Sequence, residues 1–323
     1  MGYLKSGVWH DEWDYNDDDT GTFERDESAF RNWITPDGAP GPTGEGGFAA
    51  EPGRYRLYIS LACPWAHRAN VVRHLNGLTE AIELVVVHWL MRDGGWSFRE
   101  GTCVTPDPLC GADHLHQIYT AAKADYSGHV TVPVLWDTRT VTIVNNESAD
   151  IMRMLGSAFD DCGAKRLDLY PAKHREEIDA LNDRVYDAVN NGVYKAGFAT
   201  SQSAYDDAVQ PLFAMLDELE ARLDGKGWLV SGQLTEADIR LWTTLIRFDP
   251  VYHTHFKCNL CRIADYPNLA ALTRRILAID GIAETVNFHH IKHHYFESHR
   301  HINPTGIVPA GPDPLVPGQP RCH

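Results

Sequence analysis

The sequence predicts an α/β domain followed by an all-α domain, and three observations carry that prediction. Between Arg54 and Leu75 a strand, a turn holding one cysteine and a helix follow one another directly. From Ile82 a second apolar run, IELVVVHWL, completes a strand–helix–strand unit, which over so short a span implies parallel pairing. From residue 171 onward only helical periodicity remains. At 323 residues the chain is long enough for two domains, each with its own core.

Residues 1–53 are rich in Asp, Gly and Pro and carry scattered aromatics, among them Trp9, Trp13, Phe23, Phe30 and Trp33. They read as an irregular arm packed on the body or on a partner subunit. The α/β domain is expected over 54–160. Its first strand alternates Tyr55, Leu57, Ile59 and Leu61 with Arg54, Arg56, Tyr58 and Ser60, the period-2 pattern of a half-buried strand. Pro64 suits the first helical position, and Ala66, Ala69, Val71, Val72 and Leu75 give the helix an apolar face. A Gly-, Pro- and polar-rich insertion at 88–129 holds Trp96 beside Gly94, Gly95 and Phe98, and an insertion of that length points to binding or an interface. In HVTVPVLWD (129–137) Pro133 argues for an edge or a cis turn, which would aim the backbone of Val132 outward for an extended peptide to pair with. Thr142 to Val144 read as a strand and Asn145 and Asn146 as a turn; Glu147 and Ser148 stand at the mouth of the next helix, with Ser148 as its N-cap.

The all-helical domain is expected over 171–296, with residues 297–323 as a tail. Ile178, Leu181, Val185, Tyr186 and Val189 form one apolar stripe, and Val209, Leu212, Phe213, Leu216, Leu219 and Leu223 another. In LTEADIRLW (234–242) Thr235 and Asp238 make a capping box, and Leu234 and Ile239 a hydrophobic staple.

Chemistry centres on Cys63. Ahead of Pro64 it would sit at a helix N-terminus, where unpaired N–H groups and the positive end of the helix dipole favour a thiolate, with His67 and Arg68 adding donors or positive charge. A free cysteine is more often a small buried hydrophobe. Its thioredoxin-like placement, at the end of an early strand and before Pro and a helix, favours a chemical role. Ala66 occupies the place of the second cysteine of a CxxC pair, so any disulfide at Cys63 needs an external thiol to resolve it. At 147–148 a hydroxyl and free N–H groups at a helix N-terminus can hold a ligand carboxylate, with Glu147 available to an ammonium.

The formal net charge of -15, without basic clusters, argues against a nucleic-acid partner. No run is long or apolar enough to span a membrane, and MGYLKSGVWH lacks the hydrophobic core of a signal peptide. Seven cysteines, an odd number without framework spacing, point to a reducing, cytoplasmic compartment. Two stretches are candidate metal sites: HTHFKCNLC (253–261), with Cys258 and Cys261, and HHIKHHYFESHRH (289–301). The first lacks a finger spacing and the second a carboxylate placed as a general base, so no metal is expected.

Eight stretches, in order over nearly the full length, are similar to the xi class of glutathione transferases, the glutathionyl-hydroquinone reductases. They are FRNWIT (30–35), SLACPWAHR (60–68), TVPVLWD (131–137), TIVNNESA (142–149), NNGVYKAGFAT (190–200), LTEADIRL (234–241), LIRFDPVYHTHFKCN (245–259) and HINPTGIVP (301–309). The resemblance implies a thioredoxin-like α/β N-terminal domain plus an all-α glutathione-transferase-type C-terminal domain, assembled as a homodimer. It implies glutathione, or a related γ-glutamyl thiol, as co-substrate and a glutathionylated quinone or hydroquinone as substrate. Cys63 is then the nucleophile, and Trp96, His129, Val130, Thr131, Val132, Glu147 and Ser148 form the thiol site. Tyr194 is the proton donor and acceptor at the aromatic substrate, while Tyr252 and Tyr295 line the pocket and help lower the cysteine pKa. The expected reaction is reduction of an S-glutathionyl-hydroquinone through a mixed disulfide at Cys63. The alternatives are conjugation of glutathione to electrophiles or general thiol transfer and, outside enzymes, a ligand- or metal-binding role. An arginine belongs to the family pattern near His129, and Cys261 and the dense tail histidines exceed that pattern.

Overall fold

In the computed structural model, which describes residues 2–11, 21–23 and 27–312, the chain divides into two compact units. Trp13, named above with the arm, and the tail beyond 312 lie outside the described residues. The first unit comprises residues 2–11, 27–168 and 284–290; the second comprises 21–23, 169–283 and 291–312.

The first unit opens with β1 (Tyr3–Lys5) and β2 (Val8–His10), an antiparallel hairpin with Leu4 opposite Trp9. Ser6 and Gly7 turn it at positive φ, 49° and 79°, the conformation that matches the twist of a two-residue hairpin. The arm is therefore not irregular throughout; a Ser-Gly turn between two short apolar pieces was its signal. Next come β3 (Tyr55–Ile59), α1 (Pro64–Leu75) and β4 (Ile82–Val86), with β3 and β4 parallel and Leu57 opposite Leu84. α2 (Leu115–Ala122) lies in the insertion, and β5 (Gly128–His129) joins β1. β6 (Val134–Asp137) runs antiparallel to β3 and β7 (Thr142–Asn145) antiparallel to β6, giving the sheet order β4-β3-β6-β7. α3 (Ser148–Ser157) packs beside α1, and α2 against β7.

The alternation in β3 predicts one buried face, yet both are covered. Tyr58, on the face read as open, is fully buried; its hydroxyl donates to Asp107 Oδ1 at 3.0 Å and its ring meets Phe98 edge-on. Asp107 and Phe98 both come from the insertion, so a segment distant in sequence supplies the missing cover. At the start of β3 the Arg54 guanidinium grips the Asp137 carboxylate through Nε (2.8 Å) and Nη2 (2.6 Å). Asp137, with a fully buried side chain, also accepts from Thr140 Oγ1 (2.7 Å) and the Arg139 amide (3.0 Å).

The second unit is helical: α4 (Arg175–Val185), α5 (Gly192–Phe198), α6 (Gln202–Arg222), α7 (Glu236–Arg247), α8 (His253–His255) and α9 (Pro267–Leu277). α10 (Phe288–Ser298) begins in residues grouped with the first unit and continues in those of the second. The predicted stripes are its core: Ile178, Leu181, Val185 and Val189, and Val209, Leu212, Phe213, Leu216, Leu219 and Leu223, are buried, while Tyr186 is only half-buried. The Thr235–Asp238 capping box opens α7, and Asp238 additionally accepts the Leu229 amide at 2.9 Å, which ties the preceding loop to the helix start. Two π-helical turns interrupt the α pattern, Tyr186–Asn190 before α5 and Phe248–Tyr252 after α7. Among the described residues no helix is long and apolar enough to cross a membrane, and no disulfide joins the six described cysteines.

Candidate active site

Cys63 is the N-cap of α1, with extended backbone (φ -75°, ψ 123°) and Pro64 in the first turn. Its sulfur accepts the Ala66 amide at 3.5 Å, and as a thiol it donates to the Val132 carbonyl at 3.6 Å. The amide is one of the unpaired donors of the helix start, and a donor aimed at sulfur favours the anionic form. The Val132–Pro133 peptide bond is cis. His67, read as a donor near the sulfur, has a buried ring with Nε2 2.7 Å from Thr285 Oγ1, and the Arg68 guanidinium lies 4.5 Å above the Trp65 ring. The helix amide is thus one donor at the sulfur.

The residues assigned to the thiol site all belong to the first unit. Trp96 is buried at the end of a loop in which Gly94 and Gly95 both have positive φ, and its carbonyl accepts the Leu115 amide that opens α2. His129 lies in β5, with its carbonyl accepting from Tyr126 Oη at 3.1 Å. Val130 and Val132 are buried, and the Thr131 carbonyl accepts from Tyr119 Oη at 2.9 Å. Cys63 and Val132 are in direct contact, as are Glu147 and Ser148.

The N-cap of α3 is Glu147, not Ser148. The Asn145 side chain accepts the Glu147 amide at 2.6 Å and holds it just outside the helix, so the Glu147 carboxylate caps the Ala149 amide at 3.1 Å and Ser148 becomes the first helical residue. Ser28, which no sequence signal singled out, donates to Glu147 Oε2 at 3.0 Å from 119 residues away.

The three tyrosines form a hydrogen-bonded group within the second unit. Tyr295 Oη is 2.5 Å from Tyr194 Oη and 3.0 Å from Tyr252 Oη, and all three side chains are buried. Phe23 stacks on Tyr194 and Phe256 on Tyr252. Burial, with Tyr194 as the next contributor, raises Tyr252 and Tyr295 well above the usual phenol value, so these two hydroxyls stay protonated. Tyr252 closes one π-helical turn, and α5, which carries Tyr194, follows the other; such turns recur at functional sites.

Beside this group the imidazoles of His255 and His299 stack, with Nε2 of the first 3.2 Å from Nδ1 of the second. Among the described residues no three His, Cys, Asp or Glu side chains gather as a metal site. The Cys258/Cys261 pair is divided between a buried thiol, which burial holds above its usual value, and an exposed one. Burial, then His294, pushes His255 down to about 3, and burial with His294 and His255 holds His299 well below its ordinary value. Both rings are neutral when folded and protonate near pH 6.5 when unfolded. The folded state then binds fewer protons, so stability is full above pH 6.5 and falls as pH drops toward the folded-state values, by about 1.4 kcal/mol per pH unit for each ring. Urea midpoints for the second unit are expected to fall steadily between about pH 6.5 and 4.5, with a shallower slope in His255→Phe. A midpoint flat across that window contradicts the neutral pair.

Known families match both units. Residues 62–158 match the glutathione S-transferase N-terminal domain, and residues 202–275 the glutathione S-transferase C-terminal domain. The chain is 58% identical over 313 residues to glutathionyl-hydroquinone reductase YqjG of Escherichia coli, covering 97% of this chain and 95% of that protein. It is 52% identical to glutathionyl-hydroquinone reductase PcpF of Sphingobium chlorophenolicum, covering 98% of each. The solved glutathione-bound structure of YqjG, a glutathione transferase homolog from Escherichia coli K-12, is similar with a TM-score of 0.90 at 54% identity, covering 99% of this chain and 98% of that one. The chain belongs to the glutathione S-transferase family and, within it, to the glutathionyl-hydroquinone reductases of the xi class. The thioredoxin-like α/β domain and the all-α transferase-type domain expected from the sequence are its fold.

Proposed function

We propose that this enzyme reduces S-glutathionyl-hydroquinones to hydroquinones with glutathione as reductant, by way of a mixed disulfide at Cys63. The observation that carries the reading is the Cys63 sulfur at the N-cap of α1, 3.5 Å from the Ala66 amide, in a chain 58% identical to a glutathionyl-hydroquinone reductase. A hydroxyl at this position would steady a bound thiolate for conjugation, whereas a cysteine is itself carried into a disulfide.

In the first step the Cys63 sulfur attacks the sulfur of the aryl thioether. The S–S bond forms as the aryl C–S bond breaks, the ring carbon takes a proton from Tyr194, and the hydroquinone leaves. Sulfur is oxidised and the ring reduced by two electrons. A second glutathione then attacks the mixed disulfide, which releases oxidised glutathione and restores the Cys63 thiol. Ala66 stands where a resolving cysteine would be, so this external step is obligatory. Tyr295 and Tyr252 reprotonate Tyr194 through the hydroxyl contacts of 2.5 and 3.0 Å. For glutathione itself, the Val132 backbone pairs with its peptide, Trp96 and the 129–131 segment wall it, the helix start at Ser148 takes a carboxylate, and Glu147 takes the ammonium.

The test is intact mass after mixing with glutathionyl-menadione in the absence of free glutathione. One glutathionyl group on Cys63 and one equivalent of released menadiol are expected; turnover with Cys63 unmodified would sink the reading. In the same assay Tyr194→Phe is expected to slow menadiol release by about 10²-fold while leaving alkylation of Cys63 by iodoacetamide unchanged. We also place the protein as a homodimer in a reducing, cytoplasmic compartment. The family resemblance supports the first, and seven cysteines, an odd number without framework spacing, support the second. A sedimentation mass near 36.2 kDa, rather than twice that value, would remove the dimer.

A further inference from the structure

Three stretches make up the thiol site proposed above, and each is fastened by residues from the first 32 positions of the chain. At the Trp96 loop, Asp11 Oδ1 accepts both the Gly94 amide (2.6 Å) and Trp9 Nε1 (2.7 Å). The Trp9 indole lies so close to Gly95 that a Cβ there would come within 2.9 Å of it, and it stacks on His116 with centroids 4.8 Å apart. Gly94 and Gly95 have φ of 80° and 74°, a path that only glycine follows without strain. At the 129–132 segment, β1 pairs with β5, Tyr3 opposite His129, while the Gly7 amide donates to the Tyr126 carbonyl (2.9 Å) and the Ser6 amide to Ser127 Oγ (2.8 Å). At the 147–148 corner, Ser28 Oγ donates to Glu147 Oε2 (3.0 Å), the Phe30 amide to Asn146 Oδ1 (3.0 Å) and the Asn32 amide to the Val144 carbonyl (3.0 Å). Arg31 forms an ion pair with Asp150 in the first turn of α3 (2.6 Å).

We propose that the N-terminal arm is the positioning element of the thiol site, with Asp11 fixing the Trp96 loop and Ser28 fixing the Glu147 carboxylate. The inference rests on the assignment of Trp96 and Glu147 to glutathione. Asp11 is exposed, so its side chain adds little to the core, and its hydrogen bonds restrain a loop that two glycines would otherwise leave mobile. A loop already held in its binding conformation need not be ordered by the ligand, and releasing it weakens binding without altering chemistry at the sulfur. Ser28 acts likewise on the orientation of a carboxylate assigned to an ammonium.

The experiment is steady-state reduction of glutathionyl-menadione by the full chain with glutathione varied, on Asp11→Ala, Ser28→Ala, Asp11→Asn and Trp96→Ala, with urea midpoints alongside. Asp11→Ala and Ser28→Ala are each expected to raise KM for glutathione about 5- to 20-fold, with kcat within about twofold and the midpoint unmoved. Asp11→Asn keeps an acceptor for Gly94 and Trp9 and is expected to restore KM to within about twofold. If Trp96→Ala raises KM but the arm variants do not, the positioning role is wrong and the site assignment stands. If Trp96→Ala leaves KM unchanged, the site assignment falls and the positioning role with it. A loss in Asp11→Ala that lowers kcat and the urea midpoint together and is not rescued by asparagine would make the arm a support of the fold alone, and would overturn the inference.

Discussion

Replacing Cys63 by serine is expected to lower kcat/KM for glutathionyl-menadione by at least about 10³-fold. Serine is an effective helix N-cap, so the start of α1, which Cys63 caps through the Ala66 amide, is preserved or improved. The loss is therefore chemical. A hydroxyl oxygen in place of sulfur cannot take the glutathionyl sulfur into a disulfide that a second thiol then cleaves. Glutathione binding, measured by calorimetry, is expected to survive, because the assigned contacts come from Trp96, the 129–132 segment and 147–148. A serine variant that still released menadiol at near the parent rate would remove covalent catalysis and leave attack by free glutathione in its place.

Asp137→Ala is expected to destabilise the first unit by about 3–5 kcal/mol, the usual cost of stranding one member of a buried ion pair. Arg54 and Asp137 are joined at 2.8 and 2.6 Å with both side chains buried, and their residues flank the β3–β6 pairing, where Tyr55 stands opposite Asp137. Alanine leaves the guanidinium with Glu51 (2.9 Å) and the Gly47 carbonyl (3.0 Å), and also strips the Thr140 hydroxyl and Arg139 amide of their acceptor. Amide hydrogen exchange in β3 and β6 is the measurement, because it reads the opening of these strands directly. Protection within about 1 kcal/mol of the parent would show that the pair contributes little net stability.

Period and punctuation made the central elements legible. The 3.6-residue stripes follow from burial of one face and the proline after Cys63 from the unused donor of a helix start, and both appear in the structure; the alternation over 54–61 located β3 but not the insertion that covers its second face. The hairpin at 3–10 was missed because three-residue strands carry too little periodicity to register. Residue preference chose Ser148 over Glu147 as the cap; the Asn145 side chain, which accepts the Glu147 amide, moved the boundary by one residue. No spacing rule connects Tyr194, Tyr252 and Tyr295, so only the family resemblance drew them together. Asp11 and Ser28 bind partners 83 and 119 residues away, contacts that local pattern does not contain.

The π-helical turns at 186–190 and 248–252 bear on how the tyrosines keep their bearings. A π turn takes one residue more than an α turn, and one residue corresponds to about 100° of rotation about a helix axis. The compass direction of Tyr252, and of everything α5 carries including Tyr194, is thus set by a count of residues as much as by their identity. Excising a single position from either turn would swing its phenol away from Tyr295 while barely changing the composition of the helix. In comparing relatives, a one-residue gap at 186–190 or 248–252 is accordingly a stronger sign of a rearranged tyrosine group than any substitution among the neighbouring apolar residues.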